Sequence, residues 1–285
     1  MNKILRPTND LIFKLIFGDN KNTDLLANFL QAVLNLPEDE YSHLSIVDPH
    51  SRLERSEDKT VILDIKLHTT SGKIIDIEIQ VADTPQIRDR ILVYAAKMLT
   101  EQIGKGENYK LKKVISILIT NFNLIHETSV YHHIYQLYDI ATGSKFTDVL
   151  EINTLELPKV PKETDNTQLW NWLQFLRTDR EEDYYMLAQA NPQIRKAVGV
   201  LKELSQDERT RLLYEAREKA KWDEHSRLTG AYDKGIKQGI EQGIDLGETN
   251  KAIEIAKKAL KNKMPIEDIM DYTGLTEKEI QELQE

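Results

Sequence analysis

Residues 60–81 read TVILDIKLHTTSGKIIDIEIQV, and this stretch decides how the chain is organised. Both halves alternate apolar and polar residues with a period of two, which is typical of half-buried β-strands. Between the halves, residues 70–72 (Thr-Ser-Gly) fit a three-residue turn that closes on a left-handed glycine. The stretch therefore predicts a two-stranded antiparallel hairpin.

The turn also predicts which residues of the hairpin face each other. With Ser71 at the centre, Asp64 lies opposite Glu78 and Lys66 lies opposite Asp76. Directly opposed side chains have Cβ atoms about 4.5–5.5 Å apart, and opposed like charges destabilise a sheet. A divalent cation between the two carboxylates would explain their pairing, because hard metals prefer oxygen ligands. An ordinary hairpin with a well-solvated polar face would also explain it, and the hairpin alone leaves both interpretations open.

A wider set of residues resembles one nuclease family. Asp64 followed by Glu78-Ile79-Gln80 is similar to the D…(D/E)-x-K hairpin of the PD-(D/E)XK nuclease superfamily. The order of the surrounding motifs resembles its recombination-promoting nuclease (Rpn) and transposase branch over about the first 160 residues. These motifs are DLIFKLIF at 10–17, Arg90 with Tyr94, Gly106 with Tyr109, and Leu155-Glu156-Leu157.

The resemblance implies a metal-dependent site. Asp64 and Glu78 would hold Mg²⁺ or Mn²⁺ together with the Ile79 carbonyl and waters. The family usually has lysine at the position of Gln80, and glutamine can orient a water but carries no charge. Lys66 on the same face could supply that charge, or Asp76 could neutralise it.

Two further groups have alternative interpretations. Asp10 is either an acid from the first helix that approaches the site, as in related nucleases, or a residue that suits a helix N-terminus. Arg88 and Arg90 either contact phosphate or form surface salt bridges. His132 and His133 point to opposite faces of a strand, so they cannot both bind one ion.

Composition excludes several classes of protein. The 285-residue chain contains no cysteine, which excludes a disulfide framework and a thiolate zinc site. No apolar run approaches the roughly 20 residues that span a bilayer, and the first ten residues lack the apolar core of a signal peptide. We therefore expect a cytoplasmic protein with no membrane partner. The net charge of −9 argues against tight, non-specific DNA binding.

Hydrophobic periodicity predicts the order helix, strand, hairpin, helix and fully buried strand. This is the αβββαβ order of the restriction-endonuclease-like α/β core, and it follows from the residues without the family. We divide the chain into a PD-(D/E)XK nuclease-like domain at 1–160, a helical extension at 161–228, and a tail at 229–285. In the extension, Trp170 and Trp172 are interpreted as core residues.

The tail contains a repeat and a small helical module. Glycine recurs every four residues at Gly235, Gly239, Gly243 and Gly247. Because each glycine inside a helix costs about 1 kcal/mol relative to alanine, this segment is either a flexible connector or a helix held by a partner. We expect this segment to join copies of the chain into a homo-oligomer. Residues 251–285 are compatible with a helix-turn-helix, whose acidic last helix is predicted to contact protein and not to read DNA.

Three functions remain. The first is a metal-dependent DNA endonuclease, which the resemblance connects with recombination or mobile elements. The second is a catalytically degenerate nuclease fold that binds DNA or protein without cutting. The third is a glycosidase-like carboxylate pair, since retaining pairs lie about 5–5.5 Å apart. An aromatic content of 7% is low for a sugar-binding cleft, so this function ranks last.

Overall fold

The computed structural model describes residues 4–47, 65–104 and 108–283, which contain one mixed β-sheet and a set of helices. Asp64 and Gly106 lie outside the described residues. The strands are β1 (Ser45–Val47), β2 (Ile65–His68), β3 (Ile74–Gln80), β4 (Val114–Thr120), β5 (His132–Tyr138) and β6 (Lys145–Glu156). The helices are α1 (Asp10–Phe17), α2 (Thr23–Val33), α3 (Ile87–Thr100), α4 (Gln168–Arg177), α5 (Glu181–Ala190), α6 (Pro192–Gln206), α7 (Glu208–Lys261), α8 (Ile266–Thr273) and α9 (Glu277–Glu282). The predicted α/β core is confirmed.

The sheet has the strand order β1-β2-β3-β4-β6-β5. β3, β4 and β6 run parallel to one another, while β1, β2 and β5 pair antiparallel with their neighbours. The parallel strands place Gln80, Thr120 and Glu156 side by side at their carboxyl ends.

The described part of the hairpin has the predicted turn and register. Lys66 lies opposite Asp76. In the turn, Gly72 donates its N–H to the Thr69 carbonyl at 2.9 Å and has a φ of +82°. This left-handed conformation favours glycine, because other residues meet a steric penalty there. The predicted pairing of Asp64 with Glu78 lies outside the described residues.

One face of the sheet packs against the main hydrophobic core. β3 and β4 contribute alternate isoleucines to this core, and helices α1, α2, α4, α5 and α6 cover them. Trp172 from α4 is fully buried and contacts Phe17 and Phe29, so its interpretation as a core residue is confirmed. Helices α4, α5 and α6, which follow residue 160, thus share a core with the nuclease-like part of the chain.

The other face of the sheet is covered by α3. Ile87 and Ile91 pack on Leu118 of β4, and Met98 packs against Ile74 and Val114. β3 is therefore buried on both sides, with Asp76 at 0% and Glu78 at 3% exposure. At Glu78 the alternative of a well-solvated polar face is wrong, because α3 lies over the face of β3 that carries Asp76 and Glu78.

By their internal contacts, the residues form two units, 1–215 and 216–285. In the second unit α8 and α9 pack on the end of α7 around Ala256, Ile269 and Ile280. Thr276 caps α9 in the predicted capping box. The four repeated glycines lie inside α7, so this segment is helical and not an irregular connector. Among the described residues, no helix is long and apolar enough to cross a membrane.

Candidate active site

Glu78 is the central residue of the candidate site. It lies in β3 and, because strand residues alternate between faces, its side chain is on the α3 side while Ile77 and Ile79 enter the main core. Gln80, two residues on, shares this face and donates its side-chain N–H to Glu78 Oε2 at 3.3 Å. The structure thus brings together two of the three predicted catalytic residues.

Arg90 reaches this site from α3. Its guanidinium Nη2 lies 3.8 Å from Glu78 Oε2, and its side chain is 34% exposed. The same guanidinium lies 5.8 Å from the centre of the Tyr94 ring. Arg90 therefore forms an ion pair with a buried carboxylate, which differs from the surface salt bridge that was one of its two interpretations.

Lys66 has a different partner from the one that its position suggests. It lies opposite Asp76, but its ammonium group forms a salt bridge with Glu101 at 3.2 Å. Glu101 directly follows α3, so this ion pair connects β2 with the end of that helix. The pairing weakens the interpretation in which Lys66 supplies the charge that Gln80 lacks.

The structure does not test the predicted roles of Asp10, Asp64 and the Ile79 carbonyl. Asp10 is the first residue of α1, where Asn9 caps the helix by accepting the Leu11 N–H at 3.1 Å. α1 packs through Phe13 on the main core, and Glu78 lies on the other face of the sheet. The position of Asp10 suits its interpretation as a residue that favours a helix N-terminus. Asp64 lies outside the described residues, and no contact tests the Ile79 carbonyl as a ligand.

Glu156 has a role that sequence analysis missed. This fully buried carboxylate accepts hydrogen bonds from the backbone N–H of Leu124, at 2.7 Å, and of Ile125, at 3.2 Å. Lys159 pairs with the same carboxylate at 2.9 Å. Arg88 of α3 donates to the Leu124 carbonyl at 2.7 Å. Glu156 therefore fixes the segment after β4, and Arg88 joins α3 to that segment. The only sequence signal was its place in Leu155-Glu156-Leu157.

The donor chemistry on the α3 side of β3 suits a hard divalent cation. Asp76 and Glu78 both supply carboxylate oxygens there, and Mg²⁺ and Mn²⁺ prefer such ligands. Among the residues that the structure describes, no three His, Asp or Glu side chains are grouped as a metal site requires. Asp64, the other predicted carboxylate ligand, lies outside those residues. His132 and His133 do face opposite ways, toward Asn153 and Glu156 respectively.

Comparison with known proteins identifies the family. A family model described as PD-(D/E)XK nuclease family transposase matches residues 7–231. A second, described as Rpn/YhgA-like nuclease family, C-terminal HTH domain, matches residues 249–285 and agrees with the predicted helix-turn-helix. No curated protein and no solved structure matches the chain. With a buried acidic hairpin strand, the expected strand order and a match over most of its length, the chain belongs to the PD-(D/E)XK nuclease family of transposases.

Proposed function

We propose that this protein is a metal-dependent DNA endonuclease that hydrolyses phosphodiester bonds in recombination or in the movement of mobile elements. The observation that carries this proposal is the buried Glu78, with Gln80 and Arg90 beside it, in a chain of a nuclease family. A cluster of this kind on a hairpin strand suits phosphoryl chemistry, where catalysis depends on placing charges around the phosphate.

In this proposal each residue has a separate task. Glu78 and Asp64 would hold Mg²⁺ or Mn²⁺, with the Ile79 carbonyl as a further ligand. When bound, the ion lowers the pKa of a water and stabilises negative charge on the phosphate. Gln80 orients the attacking water through its amide. The water oxygen bonds to phosphorus, the bond to the leaving oxygen breaks, and the water gives up one proton as the leaving oxygen gains one.

Plasmid cleavage tests the proposal most directly. Purified protein is incubated with supercoiled plasmid in Mg²⁺, in Mn²⁺ and in chelator, beside the variant Glu78→Gln. We expect nicked or linear DNA only with a metal ion. In the variant we expect a rate at least about 100-fold lower, because the neutral amide replaces a metal-binding carboxylate.

Glu151→Gln is the matched control. Glu151 is also a buried sheet carboxylate, at 8% exposure, but it lies on the opposite face and pairs with Lys113 at 2.7 Å. We expect this variant to be less stable yet still to cut. If wild-type protein that is folded cuts with neither metal, or if Glu78→Gln cuts at the wild-type rate, the proposed site is wrong.

A second candidate function is a degenerate module that binds DNA or protein without cutting. Gln80 in place of lysine and the net charge of −9 favour it, since both weaken interaction with a scissile phosphate. DNA binding with no cleavage under any metal would support this function. Gln80→Lys is then the first variant to test for restored cleavage.

We also propose that the protein acts in the cytoplasm on DNA and assembles with copies of itself through α7. The support for assembly is an exposed apolar row beside the glycines: Ile236, Ile240 and Ile244 are 45%, 58% and 56% exposed. Exposed apolar side chains that recur every four residues suit contact with a second helix. Assembly of two nuclease sites would suit double-strand cutting.

A further inference from the structure

We propose that Arg90 supplies the positive charge at the scissile phosphate that Gln80 cannot supply. This inference rests on the proposed nuclease function and adds a catalytic residue to it. The argument starts from the position of Gln80, where an uncharged amide stands beside Glu78. A carboxylate site that acts on a phosphodiester gains from a nearby cation, because negative charge develops on the phosphate oxygens.

Lys66 is the other cation on this face, and it already forms an ion pair with Glu101. Its ammonium lies 3.2 Å from Glu101, and its side chain is 12% exposed. A mostly buried ammonium that leaves its carboxylate partner pays a desolvation cost, so Lys66 is poorly placed to turn to a substrate. Arg90 is the basic side chain that the described residues bring next to Glu78.

The guanidinium of Arg90 has capacity left for a phosphate. Arginine carries five N–H donors in a planar fork, which matches the oxygens of a phosphate. In the described part of the chain, the buried Nε of Arg90 has no hydrogen-bond partner. Its contact with Glu78, at 3.8 Å, is longer than a hydrogen bond. The side chain is also partly open to solvent, so a phosphate can reach it.

The backbone under Arg90 is held in place from two sides. Ile91, the next residue, packs on Leu118 and Leu124. Arg88 donates to the Leu124 carbonyl, and the carboxylate of Glu156 fixes the N–H of Leu124. A donor on such an anchored helix turn needs little rearrangement when charge develops on the substrate, which is the condition for electrostatic catalysis.

The test uses cleavage kinetics and rescue. We expect Arg90→Ala to lower kcat about 100-fold while KM changes less than about threefold, since the lost interaction strengthens in the transition state. Arg90→Gln replaces the charged guanidinium with a neutral amide and leaves a smaller gap than alanine does, so it should show the same loss of kcat. In the double variant Gln80→Lys/Arg90→Ala, we expect at least about tenfold recovery of kcat. Because Gln80→Lys also places a cation beside the buried Glu78 and can restore stability, kcat is compared under conditions where urea denaturation shows each variant to be folded.

Arg195→Ala is the matched control for loss of an arginine. Arg195 donates to the Ala188 carbonyl at 2.9 Å, on helices far from β3 in sequence, and its loss should leave cleavage unchanged. If the wild type cuts and Arg90→Ala or Arg90→Gln cuts equally fast, this inference is wrong although the nuclease proposal stands. The inference is also wrong if Lys66→Ala, and not Arg90→Ala, removes cleavage. A wild type that does not cut overturns the nuclease proposal and this inference together.

Discussion

Glu40 shows how one side chain sets the shape of the hairpin that carries the site. It is 7% exposed and lies under the turn between β2 and β3. Its carboxylate accepts hydrogen bonds from the hydroxyls of Thr69, at 2.6 Å, and Ser71, at 2.9 Å, and it pairs with the ammonium of Lys73. Because the turn determines the register of the hairpin, these contacts help to place Glu78.

This network predicts a pH dependence of stability. Burial alone would raise the pKa of Glu40, but Lys73, Thr69 and Ser71 together lower that pKa from 4.5 to about 2. A carboxyl group with a lowered pKa stabilises the fold fully above its unfolded pKa, and the stabilisation is lost as the pH falls from 4.5 toward 2. We expect Glu40→Gln to reduce the free energy of unfolding by about 1–2 kcal/mol at pH 7, and by less at pH 3.

Urea denaturation at both pH values measures this difference. Glu163→Gln, at an exposed position, is the control and should change stability little at either pH. An equal loss at pH 7 and pH 3 would show that the charge of Glu40 is not what stabilises the turn.

At the scale of elements, local patterns were predictable and contacts between elements were not. The β2–β3 hairpin follows from alternation and one glycine, both of which act over a few residues. That α3 covers the polar side of β3 depends on the packing of distant segments, so no spacing rule pairs Arg90 with Glu78. The same holds for Glu156 and Leu124, which are 32 residues apart. The predicted Asp64 role stays untested, since that residue lies outside the described chain.

The glycine repeat of α7 gives a prediction at this scale. A Cβ added at Gly239 or Gly243 meets no atom within 4 Å. Alanine there should therefore stabilise an isolated helix by about 1 kcal/mol per site. If a second copy packs on this row, the added methyl groups separate the helices. We expect Gly239→Ala/Gly243→Ala to raise helix content by circular dichroism and to lower the mass per particle in light scattering.

Gly230→Ala separates these two effects. Gly230 also lies in α7 with open space around its Cβ position, but it is outside the four-residue repeat. It should raise helix content and leave the mass per particle unchanged. A repeat variant that keeps the wild-type mass would exclude the glycine row as the interface.

In the whole molecule, the candidate nuclease site and the tail proposed to assemble copies of the chain lie in different units. Residues 1–215 contain Glu78 and the sheet, whereas residues 216–285 contain most of the glycine repeat helix and the helix-turn-helix match. A net charge of −9 gives little general attraction to DNA, so a single active site would leave the DNA after cutting one strand. Cutting both strands in one encounter would therefore need two active sites held together. The second unit is the part of the chain proposed to do this.

Removal of residues 229–285 tests this division. We expect the truncated protein to be a monomer in light scattering and to convert supercoiled plasmid to nicked circles, whereas the full chain also makes linear DNA. The reason is that a single site cuts one strand per encounter. Full-length Glu78→Gln should keep the wild-type mass per particle and lose cleavage, whereas the truncated protein loses mass and keeps nicking activity. Unchanged mass after truncation, or linear DNA formed by the truncated protein as readily as by the full chain, would show that the tail does not pair the two sites.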